Sequence, residues 1–229
     1  MNPAPRVPER GEPARARGGA AATVSGLYAI TPEDCDADSL ARKLTAALAG
    51  GARLFQYRSK SLDAAARRAQ AERLLQMCRN AGAALIVNDD LELALAIGAD
   101  GVHLGRDDGD VAAARARLGT ERLLGVSCYD RLELARSAVA QGADHVAFGS
   151  AFASPTKPQA PHAPSALFAQ ARAELRVPIV AIGGITPQNA PLMIQAGAHA
   201  VAVITALFGA EDIAAAAAAF CHHFQQRQS

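Results

Sequence analysis

Three short polar clusters hold most of the residues that could do chemistry: Gln56, Arg58 and Lys60 in "FQYRSK", Asn88, Asp89 and Asp90 in "VNDD", and Arg106, Asp107 and Asp108 in "GRDD". Ser127 and the run Ser154, Pro155, Thr156 and Lys157 extend the set. Hard divalent cations such as Mg²⁺ take one or two carboxylates and leave other positions to water and phosphate oxygens. Asp89 and Asp108 are candidates for such a pair. Arg58, Lys60 and Lys157 would bind the remaining oxygens of a polyphosphate. The competing reading of these charges is a set of salt bridges. Single aspartates such as Asp90, and one of Asp107, Asp108 and Asp110, also suit helix N-caps. A second anion site is suggested by "IGGIT", which contains Gly184, and by "VITA", which contains Ile204 and Thr205, because glycine lets backbone N–H groups approach a ligand closely. His103 faces either a substrate ring or a hydrogen-bonded core, and its spacing leaves both open. No serine–histidine–acid arrangement can be argued from spacing.

Something must bring these clusters together. From Gly26 onward, apolar runs rich in branched residues recur: "LYAIT", "RLFQYR", "ALIVND", "GVHLG", "LLGVSC", "HVAFGS", "PIVAIGG" and "AVAVITA". Between them lie stretches such as 63–81 and 130–142, where leucine and alanine return every three or four residues beside charged ones. Asp130 with Glu133 reads as a capping box, and Thr186-Pro187 as an N-cap followed by a first-turn proline. Glycines in "ALAGGA", "LAIGADG", "VAQGADH" and "IQAGAHA" end helices before the next strand. Eight strand-then-helix units predict an α/β fold, a single-domain (β/α)₈ TIM barrel over residues 25–229, with an open doubly wound sheet as the alternative. In such a barrel, catalytic groups sit at the C-terminal strand ends, where every unusual polar cluster of this chain falls.

The alternation in "FQYRSK" puts Gln56, Arg58 and Lys60 on one face and Phe55 and Tyr57 on the other. On the barrel reading the first face is the mouth.

Composition narrows the function classes. The formal net charge of +1 gives no global attraction to nucleic acid or to a membrane, so an anionic ligand needs a local cluster. No apolar run reaches the roughly 18 residues of a membrane span. Cys35, Cys78, Cys128 and Cys221 lack zinc or disulfide spacing, which fits a reducing cytoplasm. Residues 1–24, rich in proline, alanine, glycine and arginine, are expected to be a disordered tail and have no continuous apolar stretch of the secretory type.

The combination "QYRSK", "VNDD", "GVHLGRDD", "GVS", "SPTK", "IGGIT" and "VITA", in this order from residue 26 to about 225, resembles the thiamine-phosphate synthase family. The resemblance implies a barrel enzyme, a transferase that joins hydroxymethylpyrimidine diphosphate to thiazole phosphate, the carboxylated thiazole included, giving thiamine phosphate and diphosphate. It assigns Gln56, Arg58, Lys60, Asn88, Ser127 and Lys157 to the pyrimidine diphosphate, with Tyr57 and Ser59 in the same stretch, and Asp89 and Asp108 to Mg²⁺. Ser154, Pro155, Thr156, Gly184, Ile204 and Thr205 fall to the thiazole phosphate, and His103 to the pyrimidine. Lys157, Arg58 and Ser127 carry the catalytic roles. The partners implied are these two small molecules; a homo-oligomer is compatible, and neither nucleic acid nor membrane is expected.

The family mechanism is dissociative. Diphosphate leaves first, and the thiazole nitrogen then attacks a pyrimidine cation. Such a site needs charge neutralisation, ring stacking and exclusion of water rather than acid–base machinery. Three positions depart from the family pattern: Asp107 stands where glutamate is frequent, Ser154 where threonine is, and Tyr129 where many relatives carry histidine. Related thiazole tautomerases depend on a histidine in that last region, so Tyr129 and the retained Lys157 favour the synthase. A phosphate-binding barrel without catalysis is the third reading.

Overall fold

A computed structural model describes residues 24–33, 35–105, 109–153 and 162–226. Eight parallel strands follow one another around a closed barrel: β1 (Gly26–Ile30), β2 (Leu54–Tyr57), β3 (Ala84–Asn88), β4 (Gly101–Leu104), β5 (Leu123–Tyr129), β6 (His145–Phe148), β7 (Ile179–Ile182) and β8 (Ala200–Val203). Closure is decided at β1, where Tyr28 pairs with Leu54 of β2 on one side and Ala202 of β8 on the other. The open-sheet alternative is thereby excluded. Of the expected tail, residues 1–23 fall outside the described residues, whereas Val24 is 3% exposed and packs with Tyr28 and Ala202 in the lumen core, so the tail ends before it.

Helices return the chain from each strand end to the next start: α1 (Ala37–Ala49), α2 (Ala64–Asn80), α3 (Leu91–Ile97), α4 (Val111–Leu118), α5 (Leu132–Ala140), α6 (Ser165–Glu174), α7 (Ala190–Gln195), α8 (Thr205–Phe208) and α9 (Ile213–Gln225). Asp36, Asp63, Asp90, Asp110 and Asp212 each accept N–H groups from the first turn of the helix that follows. Two caps differ from the sequence reading. Tyr129 has φ +54°, and Arg131 donates its N–H to the Cys128 carbonyl at 3.0 Å, so Asp130 sits in a turn and α5 begins behind Arg131 without a side-chain cap. Thr186 instead closes a turn with Asn189, whose Oδ1 accepts the Thr186 N–H at 2.8 Å, and α7 starts only at Ala190.

Alternation along each strand builds two cores. Phe55, Tyr57, Leu85, Val87, Val102 and Phe148 face the helices and meet Leu40, Leu44, Leu74 and Phe168. Tyr28, Leu54, Ile86, Ala147, Val180 and Ala202 fill the lumen. Each large side chain so buried contributes about 1.5–3 kcal/mol. The lumen is the part that matters for chemistry, because its polar members open on the mouth. Among the described residues no helix is long and apolar enough to cross a membrane.

Candidate active site at the barrel mouth

Gln56 is the lumen-facing residue at the end of β2. It is 3% exposed, and its Nε2 donates to the Tyr28 hydroxyl across the β1–β2 seam at 3.0 Å. The strand stops at Tyr57, so alternation no longer governs Arg58. Its main chain is clamped by Thr31, which accepts the Arg58 N–H at 2.9 Å, and its guanidinium reaches Glu33 at 2.6 Å. Lys60 lies beyond, exposed. Tyr57 turns outward, and its hydroxyl donates to Gln70 Oε1 at 2.9 Å. Together with Ser59, Lys60, Arg67, Asn88 and Asp89 it lines a cavity of about 540 Å³ between the β2 and β3 ends.

At β3 the chain leaves the barrel through Asp89, whose φ of +62° is a left-handed conformation that aspartate tolerates. This turn frees Asp90 to cap α3 and to pair with Arg67 at 3.1 Å, while the Asp89 N–H donates to the His103 carbonyl at 2.8 Å. Asn88 donates its side-chain N–H to Asp89 Oδ2 at 2.6 Å. A carboxylate is thus held beside β4 at the mouth.

The next three strands supply a polar chain inside the lumen. His103 is buried, and its Nε2 lies 2.9 Å from Ser127 Oγ; its Nδ1 lies 3.4 Å from Nε2 of His145. His145 is fully buried against the edge of Tyr28, and burial pushes its pKa down to about 4. It is therefore neutral. Gly125 makes the pair possible, since a Cβ there would overlap both imidazoles.

On the far side, β7 and β8 end side by side, Ile182 pairing with Ala202. Gly183 and Gly184 have φ of +101° and +62°, and a side chain on Gly184 would press into Phe152 Cβ at 2.9 Å. Among the described residues, no hydrogen bond of the turns and caps uses the N–H of Gly184, Ile204 or Thr205 as its donor. Backbone donors of this kind at strands seven and eight are suited to an anion.

Gln56, Asn88, Asp89, His103 and Ser127 therefore come from four consecutive strand ends, with Arg58, Ser59 and Lys60 in the loop after β2. Asp107, Asp108, Ser154, Pro155, Thr156 and Lys157 lie outside the described residues.

The family model described as thiamine monophosphate synthase matches residues 27–207. The chain belongs to the thiamine monophosphate synthase family. A thiamine-phosphate synthase of Chromobacterium violaceum is 58% identical over 204 residues, covering 89% of this chain and 98% of that one. One of Methylobacillus flagellatus is 56% identical over 197 residues, covering 86% and 94%. The structure of a thiamine phosphate pyrophosphorylase from Pyrococcus furiosus superposes with a TM-score of 0.78 at 31% identity, covering 89% of this chain and 97% of that one.

A carboxylate oxygen is the donor type that Mg²⁺ prefers, and in this thiamine monophosphate synthase family chain Asp89 offers one after β3. Among the described residues no three His, Cys, Asp or Glu side chains cluster as a metal centre. Sequence reasoning missed two groups. Glu33 follows "AIT" just as acids follow the third and fourth strands, and that position was its signal. His145 shares the inward face with Ala147, the register partner of Ser127, so alternation alone would have turned it into the lumen.

Proposed function

We propose that the mouth of this barrel binds hydroxymethylpyrimidine diphosphate beside thiazole phosphate and joins them, releasing diphosphate. This is thiamine-phosphate synthase activity, and it makes the chain a transferase of thiamine biosynthesis. Gln56, Asn88 and Ser127 bind the pyrimidine diphosphate through hydrogen bonds, and Arg58, Lys60 and Lys157 through charge. Tyr57 and Ser59 shape the wall beside it. His103 lies against the pyrimidine ring. Ser154, Pro155 and Thr156, with the N–H groups at Gly184, Ile204 and Thr205, take the thiazole phosphate.

Asp89 and Asp108 would hold Mg²⁺. When bound, the ion neutralises charge on the departing diphosphate. The residues themselves then have two tasks. The basic groups hold the leaving oxygens in place while the bond to the methylene carbon breaks, and the lumen walls hold two flat rings face to face with water excluded. No side chain needs to take a proton from carbon. The free thiols of Cys35, Cys78, Cys128 and Cys221 suit a cytoplasmic enzyme.

The observation that carries the reading is the near-full-length identity to thiamine-phosphate synthases, supported by a mouth whose polar groups suit one diphosphate and one monophosphate. Incubating the purified chain with both phosphorylated precursors and Mg²⁺ should release diphosphate and form thiamine phosphate. Isomerised thiazole alone would mark a tautomerase, and binding without reaction a carrier domain; either result overturns the reading.

A further inference from the structure

The lumen chain His145–His103–Ser127 has a direction, and it can be worked out from one atom. His145 Nδ1 is buried and has no hydrogen-bond partner. A neutral imidazole carries its proton on one nitrogen only. If that proton were on Nδ1, a buried N–H donor would go unmet, which is the costlier arrangement; a bare lone pair there loses less. The proton of His145 therefore sits on Nε2. From there it points at His103 Nδ1, 3.4 Å away, which must be the bare nitrogen of the second ring. His103 then carries its own proton on Nε2, 2.9 Å from Ser127 Oγ. Ser127 accepts that hydrogen bond, and its hydroxyl hydrogen remains for an acceptor at the mouth.

We propose that His145 is a positioning residue that fixes the proton order of this chain, so that Ser127 meets its ligand as an O–H donor. The inference rests on the synthase reading only in naming the acceptor: an oxygen of the pyrimidine diphosphate, whose negative charge grows as the bond breaks. A hydroxyl already turned toward that oxygen costs no reorientation during reaction. Burial supports the order, since it keeps the ring of His145 neutral. The glycine at position 125 supports it as well, because any side chain there would separate the two rings.

Two-bond ¹H–¹⁵N correlation spectra of the histidine-labelled full chain read the proton positions directly. Both His145 and His103 should carry the proton on Nε2. A proton on Nδ1 of either ring, or a charged ring at neutral pH, overturns the proposal. In His145→Leu, which removes the donor, His103 should lose its single proton position and kcat should fall about tenfold, as expected for one charge-directed hydrogen bond. His145→Gln returns an N–H donor and should restore both. A His145→Leu protein whose His103 keeps the wild-type signature would also overturn it. Wild-type spectra with the expected proton order, combined with no diphosphate release by the wild-type chain, would support the proton order while refuting the reaction.

Discussion

The two ends of the barrel use the same residue types for different purposes. At the end where strands begin, three short repeats, "GAD" before β4, "GAD" before β6 and "GAH" before β8, place Asp100, Asp144 and His199. Each side chain accepts a backbone N–H from the neighbouring strand: Asp100 from Leu85 at 2.8 Å, Asp144 from Leu124 at 2.8 Å, and His199 from Ile179 at 2.9 Å. At the end where strands finish, Asn88 and Asp89 line a cavity, Ser127 meets His103, and among the described residues no turn hydrogen bond uses the N–H of Gly184, Ile204 or Thr205. An acid at the first end is spent on the barrel itself. At the second end Asp36, Asp63, Asp90 and Asp110 cap helices, whereas Asp89 caps none and stands where parallel barrels conduct their chemistry.

The sharpest test of that difference is Asp89→Asn. Asparagine keeps the shape and tolerates the left-handed backbone at φ +62°, so folding should be nearly unchanged. Turnover should drop by about 10²–10³-fold, the range for removing a group that stabilises transition-state charge. Steady-state diphosphate release together with urea unfolding checks both halves. Normal turnover in a folded variant would show that Asp89 is as structural as the acids at the other end.

His145 lies between the two ends and gives the second test. The unfolded imidazole takes up a proton below its ordinary 6.5, whereas the folded one stays neutral until about 4. As pH falls through that window the unfolded chain is favoured, and stability is lost; below about 4 both states are charged and the loss stops. The effect amounts to roughly 3 kcal/mol across the window. His145→Phe should therefore unfold with a flatter pH dependence than wild type over the same range. Parallel curves for the two proteins would mean that the ring is wetter or better partnered than its burial indicates.

Much of this could be read from the chain alone. Eight branched runs with polar residues after them are enough to expect a barrel and to look for chemistry at one end, and alternation correctly turned Gln56 inward and Phe55 outward. It says nothing of Arg58, because β2 stops at Tyr57, and the ion pair of Arg58 with Glu33 depends on the β1 end lying beside it. For His145 alternation shows the inward face but not the partner. Its partner His103 is 42 residues away, and only the register that places both opposite Gly125 brings the rings together. Local patterns report an element's face, whereas a contact across three strands depends on closure and register, which no single segment encodes.

The smallest expected effect belongs to the closed end, and it separates two explanations of what Asp144 does there. Its Oδ2 accepts the Leu124 N–H and also meets the guanidinium of Arg115. That guanidinium has other acceptors, the carbonyls of Gly142 at 2.9 Å and Arg122 at 3.0 Å, so losing the carboxylate leaves Arg115 largely satisfied. Among the described residues, the Leu124 N–H meets no side-chain acceptor other than Asp144. Asp144→Ala should therefore cost about 2 kcal/mol in urea unfolding, whereas Asp144→Asn, which keeps an oxygen for Leu124, should cost about 1 kcal/mol. Turnover of both folded proteins should match wild type. An asparagine variant as unstable as the alanine one would mean that charge, not the backbone acceptor, holds this end. A loss of turnover without a loss of stability would bring the closed end into the chemistry and erase the division between the two.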